Sequence, residues 1–192
     1  MKKTSKKTKE VVVTMSKAAF NKLTKEKKRV IVAQDVLDRI DIGQFVPTEG
    51  IFCSIRGDSF KDTPENKNVK IKTILENPKQ ECYVCAKGGL FMAYVGINNG
   101  FKIKDLTQCQ DTLDVGYELW SDEMKSLKGI FSEKQLSLIE LTFEAHSRYT
   151  NEFTTLDDIS KCYTFHGKYS TDTQRLIAIC NNIIKNKGTF KP

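Results

Sequence analysis

The core of this protein is set by residues 82–97, which read CYVCAKGGLFMAYVGI. Lys87 is the only charged side chain in this stretch, and an apolar run of this length is typical of a buried helix. Two asparagines and a glycine follow at residues 98–100, and these residue types favour the turn that ends a helix. We therefore predict a buried helix over residues 82–97.

Three amphipathic patterns predict further helices on both sides of this stretch. In each of them apolar residues recur every three or four positions, with polar residues on the opposite face. The first begins after Thr24, a candidate N-cap, and stops before Gly43. The other two begin with capping-box pairs, in which Ser132 or Thr171 is followed three positions later by Gln. These helices are predicted over residues 25–41, about 132–146, and from about 171 to a C-cap glycine at Gly188.

Strand signals are confined to the first half of the chain. Pro47 and Gly50 interrupt residues 45–55, and residues 51–55 form a short apolar run of the kind found in strands. Residues 69–77 fit a short helix or a strand. The predicted fold class is therefore α+β and predominantly helical, with four or five helices and a small β-sheet built from residues 45–55 and a neighbouring segment.

The length and composition indicate one soluble domain. The chain has 192 residues, of which 39% are hydrophobic and 29% charged, and a single core of this size is usual. The valines at 11–13 stop at Thr14, which is too short a run for a signal peptide or a membrane span. We predict a flexible basic arm over residues 1–15, a helix-rich domain over residues 16–192, no membrane span and a cytoplasmic location. Six cysteines in such a compartment are expected to be reduced.

Positive charge is concentrated near the amino terminus. Residues 1–29 contain eleven basic and two acidic side chains, whereas the rest of the chain carries a net charge of −2. Lysines in such an arm can neutralise the phosphates of a nucleic acid or approach an anionic membrane surface. The alternative is a solvated extension that only improves solubility. The candidate partner-binding residues are Lys2, Lys3, Lys6, Lys7 and Lys9.

Cys82 and Cys85 form the most chemically suggestive motif. Two thiolates at this spacing can hold half of a tetrahedral zinc site. Thiols at the start of a helix can also be acidified by the helix dipole, as in redox dithiols. Packing is the third interpretation, because small residues at positions 82, 85, 89, 93 and 96 would let another element approach closely.

A zinc site would need further ligands from elsewhere in the chain. Cys162 and His166, four residues apart, are the best second pair, and Cys53 and Cys109 are weaker candidates. No second Cys-x-x-Cys pair exists. We therefore expect no cofactor, with zinc as the alternative.

The two histidines do not indicate acid and base catalysis. His146 falls at the predicted end of a helix, where a partly cationic ring interacts favourably with the dipole. His166 lies in an aromatic stretch closed by Gly167, which we interpret as a surface loop folded onto the core. The chain lacks the P-loop, EF-hand, GxSxG and HExxH patterns. A non-enzymatic protein is therefore the prediction.

Residues 82–91, 131–140 and 175–190 resemble stretches of uncharacterised small proteins from bacteriophages and bacterial mobile elements. The resemblance implies a setting, the cytoplasm of a bacterial host cell, and no role for any residue. The predicted function is that of a phage-type accessory protein that binds a host or phage protein, or a nucleic acid through its arm, without catalysis. The alternative is a zinc-binding or thiol-redox protein centred on Cys82 and Cys85.

Overall fold

The computed structural model describes residues 15–55, 69–98, 127–145 and 153–192. Over these ranges it contains seven helices and three short strands. The helices are α1 (Lys17–Asn21), α2 (Lys25–Asp41), α3 (Ile71–Leu75), α4 (Ala86–Asn98), α5 (Glu133–Glu144), α6 (Leu156–His166) and α7 (Asp172–Lys185). The strands are β1 (Phe45–Pro47), β2 (Cys53–Ile55) and β3 (Cys82–Val84). The predominantly helical α+β class is confirmed, while His146 lies outside the described residues.

The prediction of one helix over residues 82–97 is wrong at its start. Residues 82–84 form β3, the central strand, which pairs in parallel with β1 and antiparallel with β2. The Cys82 N–H donates to the Gln44 carbonyl at 2.8 Å, and the Cys85 N–H donates to the Ile51 carbonyl at 2.6 Å. An apolar run fits a strand or a helix equally well. The residues whose pairing makes this segment a strand lie 27 to 37 positions earlier in the sequence.

Helix α4 runs through the centre of the molecule and is buried along most of its length. It packs against α2, α3, α5 and the sheet. Gly88 lies directly against the backbone of Phe52, because a Cβ at this position would overlap the Phe52 carbonyl oxygen. The small residue at the closest approach to the sheet is therefore Gly88, a position that the predicted stripe of small residues did not include.

A buried polar cluster connects the carboxyl end of α2 to the sheet and to α3. Arg39 pairs with Asp35 at 2.7 Å, and it also donates to the Gln44 side chain and to the Leu75 carbonyl. The Gln44 amide donates to the carbonyl of Asn77 at 2.7 Å. Burial raises the pKa of Asp35, and the Arg39 charge opposes that shift. These bonds place residues 75–77 at the carboxyl end of α2.

The stretch around His166 is a helix, so the prediction of a surface loop there is wrong. Thr155 accepts from the Asp158 N–H, and the Asp158 carboxylate accepts from the Thr155 N–H, which together form a capping box at the start of α6. Cys162 and Phe165 then point into the core at helical spacing. The sequence contains the Thr155 and Asp158 pair of this capping box, but the aromatic residues and glycine around His166 favoured a loop.

Candidate nucleic-acid interface

The amino terminus of α2 and the carboxyl terminus of α7 are in backbone contact. After α7 the chain turns through Lys187 (φ +53°) and Gly188 (φ +92°), and the Gly188 N–H donates to the Ile183 carbonyl at 2.7 Å. A Cβ on Gly188 would lie 2.9 Å from the Glu26 Cα and closer still to the Glu26 carbonyl oxygen. Gly188 is therefore the residue that lets the two chain segments meet.

A third segment, residues 127–135, joins the first two. The Arg29 guanidinium donates to the Ile130 carbonyl at 2.6 Å and lies over the Phe131 ring at 5.8 Å. Gln135 and the backbone of Phe190 exchange two hydrogen bonds, at 3.1 and 3.0 Å. Three segments that are far apart in the sequence thus form one end of the molecule.

Helix α1 belongs to the same end. The Lys28 ammonium of α2 lies 5.7 Å from the centroid of the Phe20 ring of α1, and Phe20 also makes an edge contact with Tyr94 in α4. We call residues 15–29, 127–135 and 185–192 together the basic end.

The basic end carries most of the positive charge of the described chain. It contains eleven basic and two acidic side chains, whereas the other described residues carry eight basic and eleven acidic ones. Nine of its ten lysines are exposed. Its basic residues are Lys17, Lys22, Lys25, Lys27, Lys28, Arg29, Lys128, Lys134, Lys185, Lys187 and Lys191. A net charge of +9 at one end produces a field that attracts polyanions.

Several of these basic residues occupy positions that reduce the local stability of the fold. Lys25 and Lys27 lie in the first turn of α2, at the end of the helix dipole that disfavours cations. Thr24 caps this turn by accepting from the Lys27 N–H at 3.4 Å, but the third helical position holds a lysine where a capping box would have a glutamate. Lys187 adopts a left-handed backbone conformation that favours glycine. Residues that reduce stability in this way are often retained for function.

The predicted arm joins the body at the basic end. Met15, which the prediction assigned to the arm, packs against the core, and Ser16 caps α1 by accepting from the Ala19 N–H at 3.2 Å. Lys2, Lys3, Lys6, Lys7 and Lys9 lie outside the described residues. Their charges are nevertheless attached to the part of the body that is itself positive.

Sequence reasoning placed the positive site in the arm alone and missed the contributions of residues 128–134 and 185–191. Three lysines in the last eight residues were a readable signal. Their position beside α2 depends on the contact between Gly188 and Glu26, for which the sequence carries no separate signal.

The thiols of Cys82 and Cys85 are buried. Burial raises the pKa of each thiol to about 12, because the interior disfavours the thiolate. The Gly88 N–H donates to the Cys85 sulfur at 3.4 Å and opposes this shift only in part. The acidification that a helix N-terminus would have produced is therefore absent at both residues, and Cys82 lies in a strand.

Cys162 and His166 are engaged with other partners. The Cys162 thiol donates to the Leu138 carbonyl at 3.6 Å. The His166 ring contacts the Thr142 carbonyl at 3.1 Å and the Arg175 guanidinium at 2.8 Å. Within residues 15–55, 69–98, 127–145 and 153–192, no group of three or more His, Cys, Asp and Glu side chains is placed to hold a metal ion. Cys109 lies outside these ranges.

No protein-family model, no curated protein and no solved structure matches this chain. The resemblance to phage proteins thus remains a prediction. In the part of the chain that the structure describes, no helix combines the length and apolar character needed to cross a bilayer.

Proposed function

We propose that this protein binds nucleic acid without catalysis, through the basic end together with the N-terminal arm. The observation that carries the proposal is the meeting of three distant segments at one end, with eleven basic and two acidic side chains. Each phosphate that a lysine neutralises releases condensed counterions, and this release drives binding. The resemblance noted above supports a phage-type accessory role in the cytoplasm of a bacterial host cell.

The charge distribution also favours a directional interface. Helix α2 has 17 residues, so its two ends are roughly 25 Å apart. This separation exceeds the Debye length of about 8 Å at physiological salt, so charges near the carboxyl end of α2 contribute little to the potential at its amino end. A polyanion is therefore expected to approach the amino end of α2 and not its carboxyl end.

The test compares two charge-reversed variants of the full chain by fluorescence anisotropy with a labelled DNA duplex. The first variant carries Lys25→Glu and Lys185→Glu, both at exposed positions of the basic end. The control carries Lys70→Glu and Lys79→Glu, which are equally exposed and lie before and after α3, near the carboxyl end of α2. We expect the first variant to lose about tenfold or more in affinity at low salt and the control to lose much less.

Equal losses in the two variants would show that the location of the charge is irrelevant, and would overturn the proposal. An absence of duplex and single-strand binding by the unmodified chain at low salt would also overturn it. A third variant, with Gln at Lys2, Lys3, Lys6, Lys7 and Lys9, tests the arm. For this variant, the slope of the log of the binding constant against log salt concentration should be shallower by about 0.9 for each phosphate contact that is lost.

A further inference from the structure

We propose that the ligand of the basic end is duplex DNA, held through its phosphates without reading of the base sequence. This inference rests on the proposed function and specifies its ligand. It rests on two features of the basic end. Lysines are exposed there, whereas the aromatic rings are buried and the arginine and most amides are hydrogen-bonded within the protein.

The aromatic side chains of the basic end are not available for base stacking. Its three aromatic residues, Phe20, Phe131 and Phe190, are each only 1% exposed. Residues 1–14 contain no aromatic residue. Proteins that bind single strands stack the bases on exposed aromatic rings, and each stacked base contributes substantially to affinity. The basic end therefore offers charge without a stacking platform, which favours a ligand whose bases are already stacked on each other.

The only arginine of the basic end is occupied within the protein. Arg29 donates to the Ile130 carbonyl and, at 3.0 Å, to the Glu26 carboxylate. Residues 1–14 contain no arginine. The commonest specific contact to a base is a bidentate arginine on guanine, which needs a guanidinium that is free to enter the groove. The exposed lysines are compact point charges suited to phosphates, so the interface is expected to ignore sequence.

The amide side chains are also largely engaged. Gln135 uses both of its amide atoms on Phe190, and the Asn186 amide donates to Asn182, which leaves Asn21 as the exposed amide of the basic end. Selection of RNA depends on polar contacts to the 2′-hydroxyl. Among the amides of the basic end Asn21 remains for such contacts, and the hydroxyl oxygens of Ser16, Thr24 and Ser132 each already accept the N–H that caps a helix. Duplex DNA also has the higher charge density relative to a single strand, with a steeper salt dependence.

The experiment is a competition assay with the full chain bound to a labelled DNA duplex. The competitors are two DNA duplexes of equal length and unrelated sequence, one of their single strands, and an RNA duplex of the same length. We expect the two DNA duplexes to compete within about twofold of each other and the single strand to compete at least about fivefold more weakly. The RNA duplex is expected to compete no better than the DNA duplexes.

Each comparison in the assay has an outcome that overturns the inference. Stronger competition by the single strand or by the RNA duplex would reject duplex DNA as the ligand while leaving nucleic-acid binding in place. A large difference between the two DNA duplexes would reject sequence-independent binding. Failure of every nucleic acid to bind would instead reject the proposed function. A Lys25→Arg and Lys185→Arg variant should retain duplex affinity within about twofold, because charge alone is required; a larger loss would also overturn the inference.

Discussion

Gly188 packs directly on the backbone of Glu26, with no room for a Cβ between the two segments. The contact joins the end of α7 to the start of α2, and it brings the lysines of both segments to one surface. Because the positive φ of Gly188 also disfavours other residues, the contact between these two segments requires a glycine at this position.

Gly188→Ala should therefore destabilise the protein more than an alanine at an open glycine. We expect a loss of about 2–4 kcal/mol in the free energy of unfolding, from backbone strain and overlap with Glu26 together. Gly43→Ala is the matched control, since Gly43 has φ +77° and nothing lies within 4 Å of its added Cβ. The control should lose about 1–2 kcal/mol. Urea denaturation measures both, and equal losses would show that the contact with Glu26 contributes nothing.

Lys27→Glu should raise stability and lower DNA affinity at the same time. A glutamate at this position can accept from the Thr24 N–H and complete a capping box, because Thr24 already accepts from the N–H of residue 27. The acidic charge would also suit the helix dipole, and we expect a gain of about 0.5–1 kcal/mol. Thermal unfolding and anisotropy measure the two effects. Lys27→Gln should give intermediate values, and an unchanged affinity in Lys27→Glu would place this residue outside the interface.

The elements predicted correctly are those that depend on local signals. The helix over residues 25–41 has the predicted bounds, and the predicted N-caps of the α5 and α7 helices, Ser132 and Thr171, are both observed. The last helix ends at Lys185, and the expected C-cap glycine, Gly188, follows with a positive φ after Lys187, which also has a positive φ. Caps and periodicity are encoded within a few residues of each other, so the sequence alone was sufficient for them.

The elements that were missed depend on distant partners. Residues 82–84 became a strand because residues 45–47 and 53–55 flank them. The basic end depends likewise on contacts of Arg29 with residue 130 and of Gln135 with residue 190. The summed charge of the body is almost neutral. This sum gives no indication that lysines from separate segments lie together at one end of the fold.

Lys187→Gly should raise the stability of the protein and weaken its DNA binding. Lys187 has φ +53°, a conformation that costs a side-chain-bearing residue about 1 kcal/mol and glycine almost nothing. We expect the glycine variant to be more stable by about that amount and to bind DNA more weakly. Lys187→Gln keeps the strain and removes the charge, so its stability should be unchanged and its DNA affinity equally reduced. A stable Lys187→Gly variant with full affinity would show that Lys187 makes no phosphate contact.

Asp158 should contribute to acid sensitivity. A hydrogen bond from Lys134 and the backbone hydrogen bond from Thr155 lower the pKa of Asp158 to about 2 from its usual 3.8. A folded-state pKa below the unfolded value means that the ionised carboxylate stabilises the fold at neutral pH, and that this stability is lost as the pH falls from about 4 to about 2. Asp158→Asn should lose about 0.3–1 kcal/mol at neutral pH, as expected when a negative charge is removed from the first turn of a helix, and should show a flatter acid transition.

The matched control for this prediction is Asp157→Asn. Asp157 directly precedes Asp158 in the chain, and its exposed carboxylate pairs within α6 with Lys161 at 2.5 Å. Exposed pairs of this kind contribute little to stability, so its acid transition should resemble that of the unmodified protein. If both variants changed the transition equally, neither the hydrogen bond from Lys134 nor the capping box at Thr155 would be the source of the effect. Unfolding followed by circular dichroism between about pH 2 and pH 7 makes the comparison.

The thiols of Cys82 and Cys85 should react with iodoacetamide only when the protein opens. Each pKa is raised to about 12 by burial, so at about pH 8 the reactive thiolate is scarce even before access is considered. Mass spectrometry of the labelled peptides should show much slower modification in the native protein than in the urea-unfolded chain. Protein purified without chelator is expected to hold zinc well below one ion per chain. Fast native labelling, or one zinc per chain, would support the thiol or metal alternative against packing, because only an accessible or coordinated sulfur behaves in that way.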